Sequence, residues 1–295
     1  MRIPAILATT SVAAVLVAGT VIPAGAAPTA ELFDDFSYSG PGDPLLAQRG
    51  WYVRAGGGGP GVPGAVWSRD HVSFPAADGG QALELKASTA GPAGATVQSE
   101  VSHQRKFAEG TYAARVRFAD APLSGPDGDE TVQSFFTITP LDAPMDPDYG
   151  ELDFEYLPNG GWGQGGPTLF MTTWETYQPD PWLADNVHGT VSASLDGWHD
   201  LVIQVAGGRV TYYLDGAEVA DHGDKYYPET AMAISFNHWF IAGGLVADPT
   251  PRDYVELVDY VYFAQDEVVP PAEVTARVQQ FRAESVSWTD TVPAG

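Results

Sequence analysis

The sequence predicts an all-β fold, built either as two packed sheets or as a barrel, and three observations lead there. Short runs alternate with period two, among them 81–86 (Gln-Ala-Leu-Glu-Leu-Lys), 111–118 (Thr-Tyr-Ala-Ala-Arg-Val-Arg-Phe) and 209–214 (Arg-Val-Thr-Tyr-Tyr-Leu). Turn formers separate these runs: the chain holds 33 glycines and 24 prolines, and Asp215-Gly216 is a hairpin signal. From Glu31 to about Ala264 no helical period is sustained and no solenoid repeat occurs. Many short strands at close intervals bury their apolar faces most simply against one another.

The elements follow in order. Met1-Arg2, the apolar run from Ile3 to Ile22 and Ala24-Gly25-Ala26 have the form of an export signal over residues 1–26. A membrane anchor is disfavoured because Thr9, Thr10 and Ser11 interrupt the run and no later segment is apolar enough to span. The strand-rich body is expected over 27–265. Gly56-Gly57-Gly58-Gly59-Pro60-Gly61 reads as a flexible loop too poor in side chains for chemistry. Pro270-Pro271 ends the body, and Val274, Val278 and Phe281 beyond it fall at helical spacing. Residues 266–295 are therefore expected as a short helical extension docked on one domain.

Composition excludes several functions. The 295 residues are 44 % apolar, enough for a sizeable core. A net charge of −24 repels phosphate backbones, so no nucleic-acid partner is expected. Cysteine is absent, which removes disulfides, thiol catalysis and zinc–thiolate sites. The six histidines lack metal-binding spacing, and neither a phosphate loop nor G-x-S-x-G is present. The expectation is a secreted, soluble monomer that needs no cofactor for its chemistry.

The informative segment is Gly150-Glu151-Leu152-Asp153-Phe154-Glu155-Tyr156-Leu157. In a strand, Glu151, Asp153 and Glu155 share one face while Leu152, Phe154 and Tyr156 share the other. Three anions in line repel, with no Lys or Arg in the segment to offset them, and such crowding keeps one carboxyl protonated near neutral pH. A chain with 38 acids also has acidic solvated faces, so the strand alone favours function only modestly. Four residues of strand span roughly 13 Å. Two long glutamate side chains leaning inward could approach the carboxyl separation of about 5–5.5 Å that a retaining glycosidase uses. Spacing does not say which glutamate is the nucleophile.

Glu151-Leu152-Asp153-Phe154-Glu155 resembles the E-x-D-x-E signature of glycoside hydrolase family 16, in the unbulged form of its lichenase and xyloglucan-transglycosylase branch. The likeness extends from about Phe33 to Ala264, through Val66–Phe74, Gln98-Ser99-Glu100, Gly110–Val116, Ser134–Thr137, Trp198–Asp200 and Val258–Tyr262. It implies a concanavalin-like β-jelly-roll sandwich, with Glu151 as nucleophile, Asp153 as assisting acid, Glu155 as acid/base and Glu100 as a sugar contact. Two departures, Ser102-His103 where lichenases usually have Arg and Leu157-Pro158-Asn159-Gly160-Gly161-Trp162 after the signature, fall where sugar subsites would lie. Family members often bind calcium on the face away from the groove, and Asp259 matches the aspartate used there.

Sugar rings present a C–H face to aromatic rings. Trp174 and Trp239 are expected as groove walls and Asn237 as a hydroxyl contact; Trp162 and Trp182 are expected in loops, and Trp51 and Trp198 in the core. The predicted activity is retaining endo-hydrolysis of a neutral polysaccharide, a β-1,3-1,4- or β-1,3-linked glucan. Transglycosylation at the same site and a lectin-like module that binds glycans without cleavage are the alternatives.

Overall fold

A computed structural model describes residues 30–77 and 80–294; the export-signal segment lies outside them. Among the described residues no helix is long and apolar enough to cross a membrane. The period-two runs form two antiparallel layers. The first runs, by hydrogen-bonded neighbours, through Trp51–Val53, Thr96–His103, Ala233–Phe240, Thr131–Ile138, Glu151–Leu157, Thr168–Pro179 and Trp182–Val191. The second runs through Leu83–Thr89, Arg252–Gln265, Gly110–Phe118, Gly197–Ala206, Arg209–Leu214 and Ala217–Gly223. Thr96–His103 pairs with both layers and joins them along one edge.

The core lies between the layers. Leu152, Phe154 and Tyr156 enter it from the first layer, with Phe135 and Phe236, and meet Leu201, Ile203, Val261 and Phe263 from the second. The opposite face of the first layer should be open to water, yet Ser134, Asp153 and Asn237 on it are only 2 %, 3 % and 5 % exposed. Larger side chains on the same face, Phe170, Trp174 and Trp239, stand around them, so this face is a floor between raised aromatic walls, the candidate groove.

Pro271–Ala283 is a helix whose Val274 and Val278 are buried on the outside of the second layer, with Phe281 stacked on Phe33 at 4.8 Å. The chain then returns as a strand, Trp288–Asp290, alongside Glu31–Asp34, and buried Lys106 binds Asp290 at 2.7 Å. Sequence patterning missed this last strand, which is too short to show a period. Two tryptophans differ from expectation. Trp198 is partly exposed beneath the Arg115 guanidinium, because Leu201, Ile203 and Val205 take the inward parity of its strand. Trp182 opens a strand instead of lying in a loop. The glycine loop also does more than expected: the carbonyls of Gly58 and Gly59 accept from Trp67 Nε1 at 2.8 Å and Arg54 Nη2 at 2.7 Å.

Candidate active site

The acid strand sits between Thr131–Ile138 and Thr168–Pro179, and cross-strand register decides its neighbours. Directly paired residues of an antiparallel sheet face the same way. Glu155 is paired with Ser134, Ser134 with Asn237, and Asn237 with Glu100, so these four form one row across the groove floor. On its other side Glu155 is paired with Phe170. The row ends at Arg54, whose Nη1 donates to Glu100 at 2.8 Å and whose guanidinium lies 4.1 Å from the Trp67 ring centre. Asn237 also hydrogen-bonds Glu100. Asn237 Oδ1 and Ser134 Oγ are buried without a protein partner. Buried polar atoms are normally satisfied, so these two are suited to the hydroxyls of a ligand.

Glu151, two residues of pleat away from Asp153, is paired with Trp174. Tyr149 donates its hydroxyl to Glu151, and Trp174 Nε1 donates to Asp153 Oδ2 at 3.0 Å. Asp153 in turn hydrogen-bonds Glu151. Burial raises all three carboxyls above their ordinary values, and mutual repulsion raises Asp153 and Glu155 further. At Glu151 the donors Tyr149 and Asp153 oppose the rise, whereas no such donor offsets it at Glu155. Glu151 is thus the acid that ionises first of the pair, and Glu155 the one that keeps its proton.

Aromatic side chains stand at both ends of the acid strand. Trp174, Tyr177 and Trp182 pack together near Glu151, and Tyr149 joins them through Tyr177. Phe170, Trp162 and Trp239 pack together near Glu155. The structure therefore brings Glu151, Asp153, Glu155, Glu100, Asn237, Trp174 and Trp239 to one face. Sequence reading missed Tyr149, Arg54 and Ser134. Tyr149 lies two positions before Glu151 and could have been found by parity; Arg54 could not, being placed by pairing across 46 residues of chain.

Asp259 is elsewhere. A bulge between Val258 and Tyr260 turns it to the outside of the second layer. There it is 1 % exposed and receives Arg282 Nη2 at 2.7 Å and Nη1 at 3.1 Å, with Arg115 Nη1 at 3.5 Å. Two guanidinium groups already neutralise this carboxylate, so the residues present do not fit a calcium ion. Among the described residues no group of three or more His, Asp or Glu is arranged to hold a metal.

This is a jelly-roll sandwich with a row of acids in its groove. The same fold is found in a β-1,3-1,4-glucanase (lichenase) from a mouse hindgut metagenome, 20 % identical over 79 % of this chain and 98 % of that one, with a TM-score of 0.56. A family 16 endo-glucanase from Bacteroides ovatus is 14 % identical over 78 % of this chain and 98 % of its own, at 0.59. LamA from Zobellia galactanivorans, in complex with laminaritriose and laminaritetraose, is 15 % identical over 81 % and 100 %, at 0.58. No protein-family model and no curated protein matches the chain.

Proposed function

We propose that the protein is a secreted, retaining endo-β-glycosidase of glycoside hydrolase family 16 that cleaves a neutral β-glucan. The observation that carries this reading is the alignment of Glu151, Asp153 and Glu155 on the groove floor, with donors on the first two and none on the third. Glu151, ionised, attacks the anomeric carbon while Glu155 gives its proton to the leaving oxygen. Asp153 holds Glu151 in position through its hydrogen bond. Glu155, now a carboxylate, takes a proton from water, which displaces Glu151 and restores the original anomer. The unsatisfied Asn237 Oδ1 and Ser134 Oγ accept from sugar hydroxyls, and the aromatic clusters receive the ring faces. The glucan-active structures of the same fold agree with this substrate class. Export rests on the segment 1–26, and the enzyme acts as a monomer.

The test is incubation of purified protein with barley β-glucan, laminarin, xyloglucan and chitin, with reducing ends and chain lengths followed and the first-formed anomer read by NMR. New β-anomeric ends are expected. Redistributed chain lengths without a net gain of ends identify transglycosylation. Binding with no change in chain length supports the lectin reading and overturns catalysis.

A further inference from the structure

We propose that the indole of Trp162 is the stacking surface for the glucan ring bound immediately beside Glu155, and that it sets how tightly the chain is held there. This rests on the glycosidase reading above.

The position follows from register. Phe170 is the direct cross-strand partner of Glu155, so its ring stands on the groove floor against the acid. Trp162 covers Phe170 at 5.4 Å in an edge-on contact and leans on Trp239 at 6.0 Å. Trp239 is nearly buried, whereas Trp162 remains 45 % exposed. A large aromatic surface is thus kept in water one ring away from the proton donor.

The loop is fixed, not adaptable. Gly161 and Gln164 exchange backbone hydrogen bonds at 3.0 and 2.9 Å, and Asn159 Nδ2 donates to Asp127 Oδ1 at 3.0 Å and to the Asp129 carbonyl at 3.1 Å. Gly161 has φ +132°, and a Cβ there would come within 2.5 Å of Ile241 Cδ1. Trp162 itself is held at φ +50°, a left-handed conformation that a bulky L-residue adopts only when its surroundings impose it. Asp129, which anchors Asn159, is locked by the buried guanidinium of Arg252 at 2.5 Å. A pre-positioned, solvated indole loses little entropy when a sugar ring covers it.

The experiment compares wild type, Trp162→Ala and Trp162→Phe on barley β-glucan and laminarin, with binding of laminaritetraose and a mixed-linkage tetrasaccharide followed by tryptophan fluorescence. Unchanged melting temperatures confirm the fold. For Trp162→Ala we expect kcat/KM to fall about tenfold, mostly through KM, with Phe restoring most of it. Activity of Trp162→Ala equal to wild type on both glucans overturns the proposal while leaving the glycosidase reading intact. If wild type cleaves nothing but its oligosaccharide quench vanishes in Trp162→Ala, the stacking surface stands and the catalytic reading falls. Absence of both cleavage and binding in wild type removes both.

Discussion

The indole nitrogen of Trp174 donates to Asp153 Oδ2 at 3.0 Å, joining the middle acid of the row to the neighbouring strand. Asp153 spends one oxygen on this contact and hydrogen-bonds Glu151 as well. The tryptophan is therefore both an aromatic wall and the clamp that orients the assisting acid. Trp174→Phe keeps the ring and removes the donor. We expect kcat to fall about tenfold, equivalent to roughly 1.4 kcal/mol, with a smaller change in KM. A larger effect on KM than on kcat would reduce Trp174 to a binding surface.

The pH profile follows from the raised acids. Glu151 must be ionised, so activity rises with pH through its titration; Glu155 must be protonated, so activity falls through its own. Burial lifts both above the ordinary 4.5, which places the whole bell of kcat/KM above the usual carboxylate range. Asp153→Ala deletes a hydrogen bond that lowers Glu151, and the acidic limb is expected to move to higher pH. Asp153→Asn retains a donor and should move it less. An acidic limb unmoved in Asp153→Ala would remove Asp153 from this role.

The same burial costs stability. A carboxyl whose folded pKa lies above its unfolded value of 4.5 binds its proton more tightly when folded. Its stability contribution is intact below pH about 4.5 and is lost as pH rises through the folded value. Glu155→Gln is thus expected to raise the melting temperature at pH 7 while abolishing turnover, with the gain vanishing near pH 4. Glu256, 0 % exposed, faces the core from the second layer, where burial outweighs a hydrogen bond with the Ser134 backbone and holds its carboxyl well above the ordinary value, and Glu256→Gln should show the same pH-dependent gain without loss of activity. Melting curves for both variants at pH 4 and pH 7 check this; pH-independent gains would contradict it.

Arg282 does the work of a cation at Asp259. Arg282→Ala leaves a buried carboxylate with Arg115 at 3.5 Å, and we expect a loss of about 2 kcal/mol, below the full cost of breaking a buried pair because Arg282 is partly exposed. EDTA and millimolar calcium should leave the wild-type melting temperature unchanged. A calcium-dependent rise of several degrees in wild type would show that a metal competes for this place.

Much of this was legible beforehand, and the residues show why. The alternation in 151–156 is unbroken, so the separation of Leu152, Phe154 and Tyr156 from the acids needed only the pleat. Val274 and Val278 followed from helical spacing in the same way. Trp198 shares its parity with Asp200 and Gln204, opposite Leu201, Ile203 and Val205, so the alternation of the strand gives its outward position although its large apolar side chain suggests the core. Asp259 matches the calcium-site aspartate of the resembled family in sequence, but the bulge that turns it toward Arg282 has no signature in Leu257-Val258-Asp259-Tyr260.

Taken alone, the chain's pattern determined a strand-rich body, a helix after Pro270 and three carboxyls on one side of one strand, because these depend on intervals of two and of three to four residues. Only the tertiary structure decided that this side is the groove, that Glu155 lies between Ser134 and Phe170, and that Tyr149 and Trp174 serve the acids. Glu256 makes the reason plain: it too is an acid within a strand, yet it is fully buried and faces the core. Whether an acid meets substrate or interior is set by pairing between segments distant in the chain and by sheet curvature, and neither is encoded in local spacing.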